Sequence, residues 1–535
     1  MYRRYEMMEL TFHGAEPAGS KIRIDLEAAF TAQVSGMTTR VHGFYAGSGT
    51  YKIRFLPQEE GIYTYQVRGI FRDTGWFEVG PAADGQHGPV HPDGTALRHA
   101  DGTYFYSFGT TVYALAHQDE ALTEQTFRTL EENAFNKIRL CVFPKHYVYN
   151  NNEPEHFPFG RREAAEDLHF IDNLNQPRTV KPLDPEMLCF PFWDSFEAKL
   201  KRLFAMGMQV DLILFHPYDR WGHSHMKQEE NLTYLEYVIR RFAAYPQLWW
   251  SMANEYDLFF DWKKEQWYEI DEYIAAHDPY HHMLSNHNCF LPYDFERPAI
   301  THVSLQHRTM ILTEELMAKY GKPVLYDECC YEGNLKETWG SISAREMVHR
   351  FWQVTTMGGY CTHGEVLLNP DDPDLDNAVL WWAKGGELHG ESPRRIAFLK
   401  EVIDSLPAPL TPWHPGFGDL RKMTREESDA IIAGAPGNLG DFLRLMLAMS
   451  DREHTFQTIS EYEFSGHAGE EAYLFYYGIN CFCQTMPNLP AGHTYKLEVL
   501  DAWNMTRETI ATGYTPGHLV RLPGREYIAL LATTE

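Results

Sequence analysis

The sequence predicts an α/β protein in which a (β/α)8 barrel is flanked by an N-terminal and a C-terminal β-sandwich. Three observations carry this. Short runs of alternating residues with turn punctuation open the chain, apolar runs alternating with helical segments fill its middle, and short strands return near its end. At 535 residues the chain is long enough for one large domain and two smaller ones.

Residues 1–88 form the first β-sandwich. FTAQVSG, TRVHGFYAG, TYKIRFLP and GIYTYQVRG read as strands, with Tyr51, Ile53 and Phe55 alternating against Lys52 and Arg54. Residues 89–405 form the barrel, entered through the turn-rich GPVHPDGTALRHADG. Its eight strands are expected at 104–111, 137–144, 209–217, 248–255, 283–287, 302–307, 323–328 and 358–366. The intervening helices show the right period in Phe196, Leu200 and Leu203, in Leu235, Val238, Ile239 and Phe242, and in Ile396, Leu399 and Ile403. The last of these helices opens on Ser392 and Pro393, an N-cap with proline in the first turn. The segment from Lys145 to Phe190 is too long for a simple connection and reads as an excursion over the barrel mouth. Residues 406–535 form the second sandwich, from strands such as AYLFYYGIN and TYKLEVLDAW.

Composition narrows the function. A formal charge of −27 repels phosphate backbones and anionic membrane surfaces, so neither nucleic acid nor membrane is expected as a partner. Glu6 and Glu9 interrupt the stretch that a signal peptide would need, and the expectation is a soluble, cytoplasmic protein. Eight cysteines are too few for a disulfide scaffold and read as reduced core thiols. Part of the 14% aromatic content could line a sugar pocket. A homo-oligomer is compatible with all of this.

Barrel enzymes place their reactive groups at the C-terminal ends of the strands. Polar residues recur there: Arg139, His216, Asn254 with Glu255, Asn286 with His287, Gln306 with His307, Asp327 with Glu328, and His363 with Glu365. Glu255 and Glu328, leaving strands four and seven on opposite sides of the axis, can face one another across a ligand. Paired carboxyls so placed suit glycoside hydrolysis, one protonating the leaving oxygen while the other attacks C1 or activates water. His216, Tyr218, Trp221, His287, His307 and Trp381 (or its neighbour Trp382) are the candidate sugar contacts. Asp327 should point to the opposite face of an ideal strand, and Glu332 and Glu365 read as loop residues facing solvent.

Asn254-Glu255 ending strand four and the lone Glu328 ending strand seven resemble clan A retaining glycoside hydrolases, the broad group containing family 5. The stretch GFYAGSGTYKIRFLPQEEGIYTYQV looks like the immunoglobulin-like domain of unknown function that precedes a related group of glycosidase barrels, and WWAKGGELHGESPRRIAFLK is similar to the same group. The resemblance implies Glu255 as acid/base, Glu328 as nucleophile, Asn254 on the sugar 2-hydroxyl, and Arg139 holding the nucleophile ionised. Glu255 would then carry the raised pKa, and the two carboxyl groups would lie about 5–5.5 Å apart.

The expectation is a retaining exo-type glycoside hydrolase acting on oligosaccharides or glycosides derived from plant polysaccharide, without a cofactor or metal. Two alternatives stay open: a metal-dependent barrel hydrolase using the His223, His225 pair, and a carbohydrate-binding protein on the same fold that has lost turnover.

Overall fold

The computed structural model describes residues 2–372, 374–414, 420, 423–450, 453 and 464–535. Its contacts divide into two compact units: residues 1–307, 322–344 and 361–393 form the first, and residues 308–321, 345–360 and 394–535 the second.

The first unit opens with two β-sheets. Tyr2–Arg3, Asp73–Gly80, Gly61–Gly69, Leu26–Ala32 and Thr38–His42 form one, in that spatial order, and Met8–His13, Thr50–Phe55 and Phe44–Gly47 form the other. Alternation along Leu26–Ala32 buries every second residue. Phe30 of one sheet stacks on Phe55 of the other at 4.2 Å, with Phe77 and Tyr63 edge-on around them. The outlying cation Arg54 is buried because its guanidinium donates to Glu197 at 2.6 Å and to the Arg241 carbonyl at 2.6 Å, which ties this sandwich to two barrel helices, Phe190–Ala205 and Gln228–Phe242.

Eight strands follow as one sheet: β1 (Phe108–Thr111), β2 (Lys137–Cys141), β3 (Gln209–Phe215), β4 (Leu248–Ala253), β5 (Leu284–Ser285), β6 (Val303–Gln306), β7 (Val324–Glu328) and β8 (Tyr360–His363). All register pairs recorded between them are parallel. The sheet nearly closes between β5 and β6, where Thr301 N–H donates to the Leu284 carbonyl and Ser285 Oγ to that of His302. This is the expected (β/α)8 barrel with β-rich regions before and after it. The excursion after β2 contains a hairpin, Leu168–Ile171 with Pro177–Val180, flanked by the antiparallel pair Phe159–Arg161 and Leu183–Leu188.

Inside the barrel the inward-facing layer is ionic rather than apolar. Lys137 Nζ lies 2.6 Å from Asp327 and 3.2 Å from Asp211, and Arg139 Nε donates to Asp211 at 3.1 Å. Ser304 and Thr362 complete the shell of Asp327. Two cations thus balance two anions where water cannot reach.

The second unit contains the helix Thr313–Tyr320, all but the first residues of the helices Ala344–Thr356 and Ser392–Asp404, and a six-stranded sheet with Ile528–Thr534 between Ala472–Tyr476 and Tyr495–Asp501. His349 bonds the Tyr476 hydroxyl at 3.1 Å, and the Arg395 guanidinium lies 3.5 Å from the centroid of the Trp503 ring.

Candidate active site

Two local distortions bring the carboxylates together. Beyond β4, Glu255 adopts the left-handed conformation with φ +56°, costly for a residue with a Cβ, so the chain turns sharply and aims the side chain back over the barrel. At β7 the pairing with β6 slips: Leu305 opposes Tyr326 but Gln306 opposes Glu328, which leaves Asp327 as the extra residue of a bulge. An ideal strand would send Asp327 and Glu328 to opposite faces, and the bulge lets Asp327 enter the ionic layer while Glu328 reaches the mouth.

Both acids are buried and braced. The Tyr113 hydroxyl donates to Glu328 and lies 2.8 Å from Asn254 Oδ1. The Tyr218 hydroxyl donates to Glu255, as does Asn254 Nδ2 at 3.1 Å. With its nitrogen turned to the acceptors, the Gln306 amide donates to Glu255 Oε1 at 3.1 Å and to Glu328 Oε2 at 2.6 Å. Those two oxygens are therefore no farther apart than these two bonds laid end to end. One oxygen of each acid thus comes within reach of a single glycosidic bond, as paired-carboxylate hydrolysis needs. A wall of Trp382, Tyr147, Tyr331 and Trp339 packs beside them.

The charge distribution differs from expectation. Arg139 makes no direct bond to Glu328; it is committed to Asp211 and reaches the nucleophile candidate through the Tyr113 hydroxyl at 3.5 Å. Burial, then the neighbouring Glu255 charge, push Glu328 up to about 7, although Lys145, Arg139 and Tyr113 oppose the rise. The raised carboxyl is thus Glu328. Asp327, held far below the usual carboxylate range against its burial by Lys137 and Arg139, is a structural anion and not a nucleophile.

A buried carboxyl whose pKa rises from 4.5 unfolded to about 7 folded binds a proton that the unfolded chain has lost between those values. Stability therefore falls as pH rises through this window, by on the order of 3 kcal/mol in full above 7. Glu328→Gln, which still accepts from Tyr113, should raise Tm by several degrees at pH 8 and by much less at pH 5, measured by scanning calorimetry.

The other expected contacts divide. Asn254 and Tyr218 touch Glu255 directly. His287 lies beneath it, its Nδ1 3.4 Å from the Glu255 amide, with the ring enclosed. His307 donates its backbone N–H to the Glu328 carbonyl at 3.1 Å. His216 is fully enclosed, bonded to the Phe143 carbonyl and packed on His223, and so offers no face to a sugar. Trp221 donates to Glu153. Trp381 is a core residue whose indole bonds Thr110 Oγ1 at 2.8 Å; its neighbour Trp382 is the one that joins the aromatic wall. Tyr113, Lys145 and the wall residues Tyr147, Tyr331 and Trp339 were not singled out from the sequence as members of the site, and Gln306 was named only as a strand-end polar residue. Tyr113 and Lys145 lie two and four positions beyond the ends of β1 and β2, where the strand-end rule would have found them with a slightly longer reach.

His223 stacks on Phe143 and His225 packs on Phe170, while Asp219 beside them is filled by the amides of Trp221, Gly222 and Ser224. Among the described residues, the one group spaced for a metal is Glu332, His363 and Glu365, with ligand atoms within 4.8 Å of each other. Its carboxylates are not solvent-facing as expected. Both are buried, and their four oxygens accept the backbone N–H groups of His389, Gly390, Glu391 and Ser392. They act as a clamp on that segment.

A Bacteroides vulgatus ATCC 8482 protein crystallised as a candidate glycoside hydrolase is 29% identical to this chain, with a TM-score of 0.82 over 100% of this chain and 99% of that one. A family 5 glycoside hydrolase from the same organism shares the fold at 13% identity, with a TM-score of 0.59 over 84% of this chain and 93% of that one. The barrel and its paired carboxylates define a glycoside hydrolase. Residues 91–408, more than half of the chain, match the apiosidase-like catalytic domain, and the chain belongs to that family. Residues 1–69 and 462–533 match two domains of unknown function, DUF5060 and DUF5605. No curated protein matches the chain.

Proposed function

We propose that this glycoside hydrolase is a retaining exo-glycosidase that removes terminal sugars from oligosaccharides or glycosides derived from plant polysaccharide. The observation that carries the reading is the single Gln306 amide bonded to both acids, which keeps them close enough to serve one glycosidic bond. Glu328 attacks C1 with its proton passed to Glu255; Glu255 protonates the departing oxygen and then activates the water that releases the sugar. Asn254, already on Glu255, is placed to bond the 2-hydroxyl, and the Trp382 wall to receive the apolar face of a ring. The family's name puts apiosides first among the glycosides to try. A cytoplasmic setting suits fragments small enough to be imported.

The raised pKa of Glu328 favours a second reading with the roles exchanged, Glu328 as acid and Glu255 as nucleophile. In both readings the working form carries one proton on the pair, so kcat/KM should fall above about pH 7 as that proton is lost.

The test is a panel of aryl glycosides of terminal pentoses and hexoses, apiosides included, with the first-formed product followed by proton NMR. Release of a sugar with the substrate's own anomeric configuration is expected. An inverted first product rejects retention, and cleavage restricted to internal bonds of a polymer rejects exo action.

A further inference from the structure

Lys145 is buried at the barrel mouth and has no part in the steps above. Its ammonium lies 3.5 Å from the centroid of the Tyr113 ring, 4.3 Å from that of Tyr218 and 5.3 Å from that of Trp382. Those two tyrosines brace one acid each, Tyr113 on Glu328 and Tyr218 on Glu255. The cation therefore stands between the two phenols that hold the two carboxylates. The remaining cations of the barrel interior, Lys137 and Arg139, are balanced by Asp211 and Asp327.

We propose that Lys145 is the fixed counter-charge of the Glu255–Glu328 pair, a positioning residue that keeps one negative charge on the two acids and fits the site to an uncharged sugar. The proposal rests on the reading of these acids as the catalytic pair. Two carboxylates with one shared proton carry one negative charge, which the ammonium cancels. The balance holds while one acid is the attacking anion and the other the proton donor. It holds again when the nucleophile is esterified and its partner ionised. The carboxylate of a uronic acid would add a buried anion that Lys145, Lys137 and Arg139, each already balanced, could not meet. The other titratable groups facing Lys145 stay neutral near pH 7: burial pushes the Cys141 thiol up to about 12, raises the phenols of Tyr113, Tyr147 and Tyr218, and holds His216 and His287 uncharged.

The test is Lys145→Met, which keeps the length of the chain and removes its charge, with Lys145→Arg as the charge-retaining control. On an uncharged aryl glycoside the upper limb of the kcat/KM profile should move up by about one pH unit in Lys145→Met, with kcat falling about tenfold and KM changing less. In Lys145→Arg the limb should stay near its original place. Infrared titration of the protonated carboxyl band, assigned with Glu328→Gln, should show the same displacement without turnover. An unmoved limb and an unmoved band overturn the proposal. So does a wild-type preference for aryl uronides that Lys145→Met abolishes selectively, since Lys145 would then be a ligand for the substrate's carboxylate. A displaced band together with undiminished hydrolysis by Glu328→Ala and Glu255→Ala would leave the counter-charge standing and overturn the catalytic reading of the pair.

Discussion

Glu328→Ala should lose on the order of 10⁴-fold or more in kcat on an unactivated glycoside, and azide should restore turnover on an activated one with inverted configuration. The vacated carboxylate leaves its own face of the sugar open, and a small anion attacking from there inverts C1 once. Glu255→Ala should lose about 10²–10⁴-fold on poor leaving groups and far less on good ones, which depart without a proton. Azide then intercepts the glycosyl-enzyme from the opposite face, and the second inversion yields net retention. The two variants should thus give glycosyl azides of opposite configuration from one substrate, read by NMR of the products. If the configurations are exchanged between the variants, the roles are exchanged as well.

The second large effect concerns stability. Lys137 lies in the fully enclosed ionic layer, 2.6 Å from Asp327 and 3.2 Å from Asp211. Lys137→Met should destabilise the protein by about 3–5 kcal/mol, because it leaves a buried anion uncompensated rather than merely deleting a contact. Adding Asp327→Asn to that variant should recover part of the loss, since the charge left behind goes with it. Thermal unfolding followed by calorimetry checks both. A Lys137→Met protein as stable as the wild type would show that Asp327 is neutral in the native barrel.

The barrel was legible because each strand ends in polar residues after an apolar run, and the helices show a 3.6-residue period in residues such as Leu200 and Val238. Glu255 and Glu328 were legible for the same reason. What pattern reasoning could not supply is local geometry. The slip at Gln306 decides that Asp327 joins the ionic layer while Glu328 does not, and nothing in PVLYDE announces a bulge. Trp381 and Trp382 are adjacent on a single helical turn, about 100° apart, so one faces Thr110 and the other the aromatic wall. Arg139 sits where an arginine could hold the nucleophile, but the register between β2 and β3 puts Asp211 directly beside it, and the nearer carboxylate claims the guanidinium.

The clamp formed by Glu332 and Glu365 bears on how this sequence can diverge. These neighbours on a short parallel strand pair hold residues 389–392 through four backbone N–H groups, with the Ser392 hydroxyl adding a bond to Glu332. The clamp requires the backbone N–H at both His389 and Glu391, which bars proline there. Gly390 is not open to substitution, because a Cβ there would stand 2.5 Å from a Glu332 oxygen and 2.6 Å from a Glu365 oxygen. Neither glutamate can drift to glutamine, whose amide nitrogen would meet a donor where an acceptor is required. Among descendants of this chain Gly390 and the two distant acids that hold residues 389–392 should therefore stay unchanged, with no proline entering at 389 or 391.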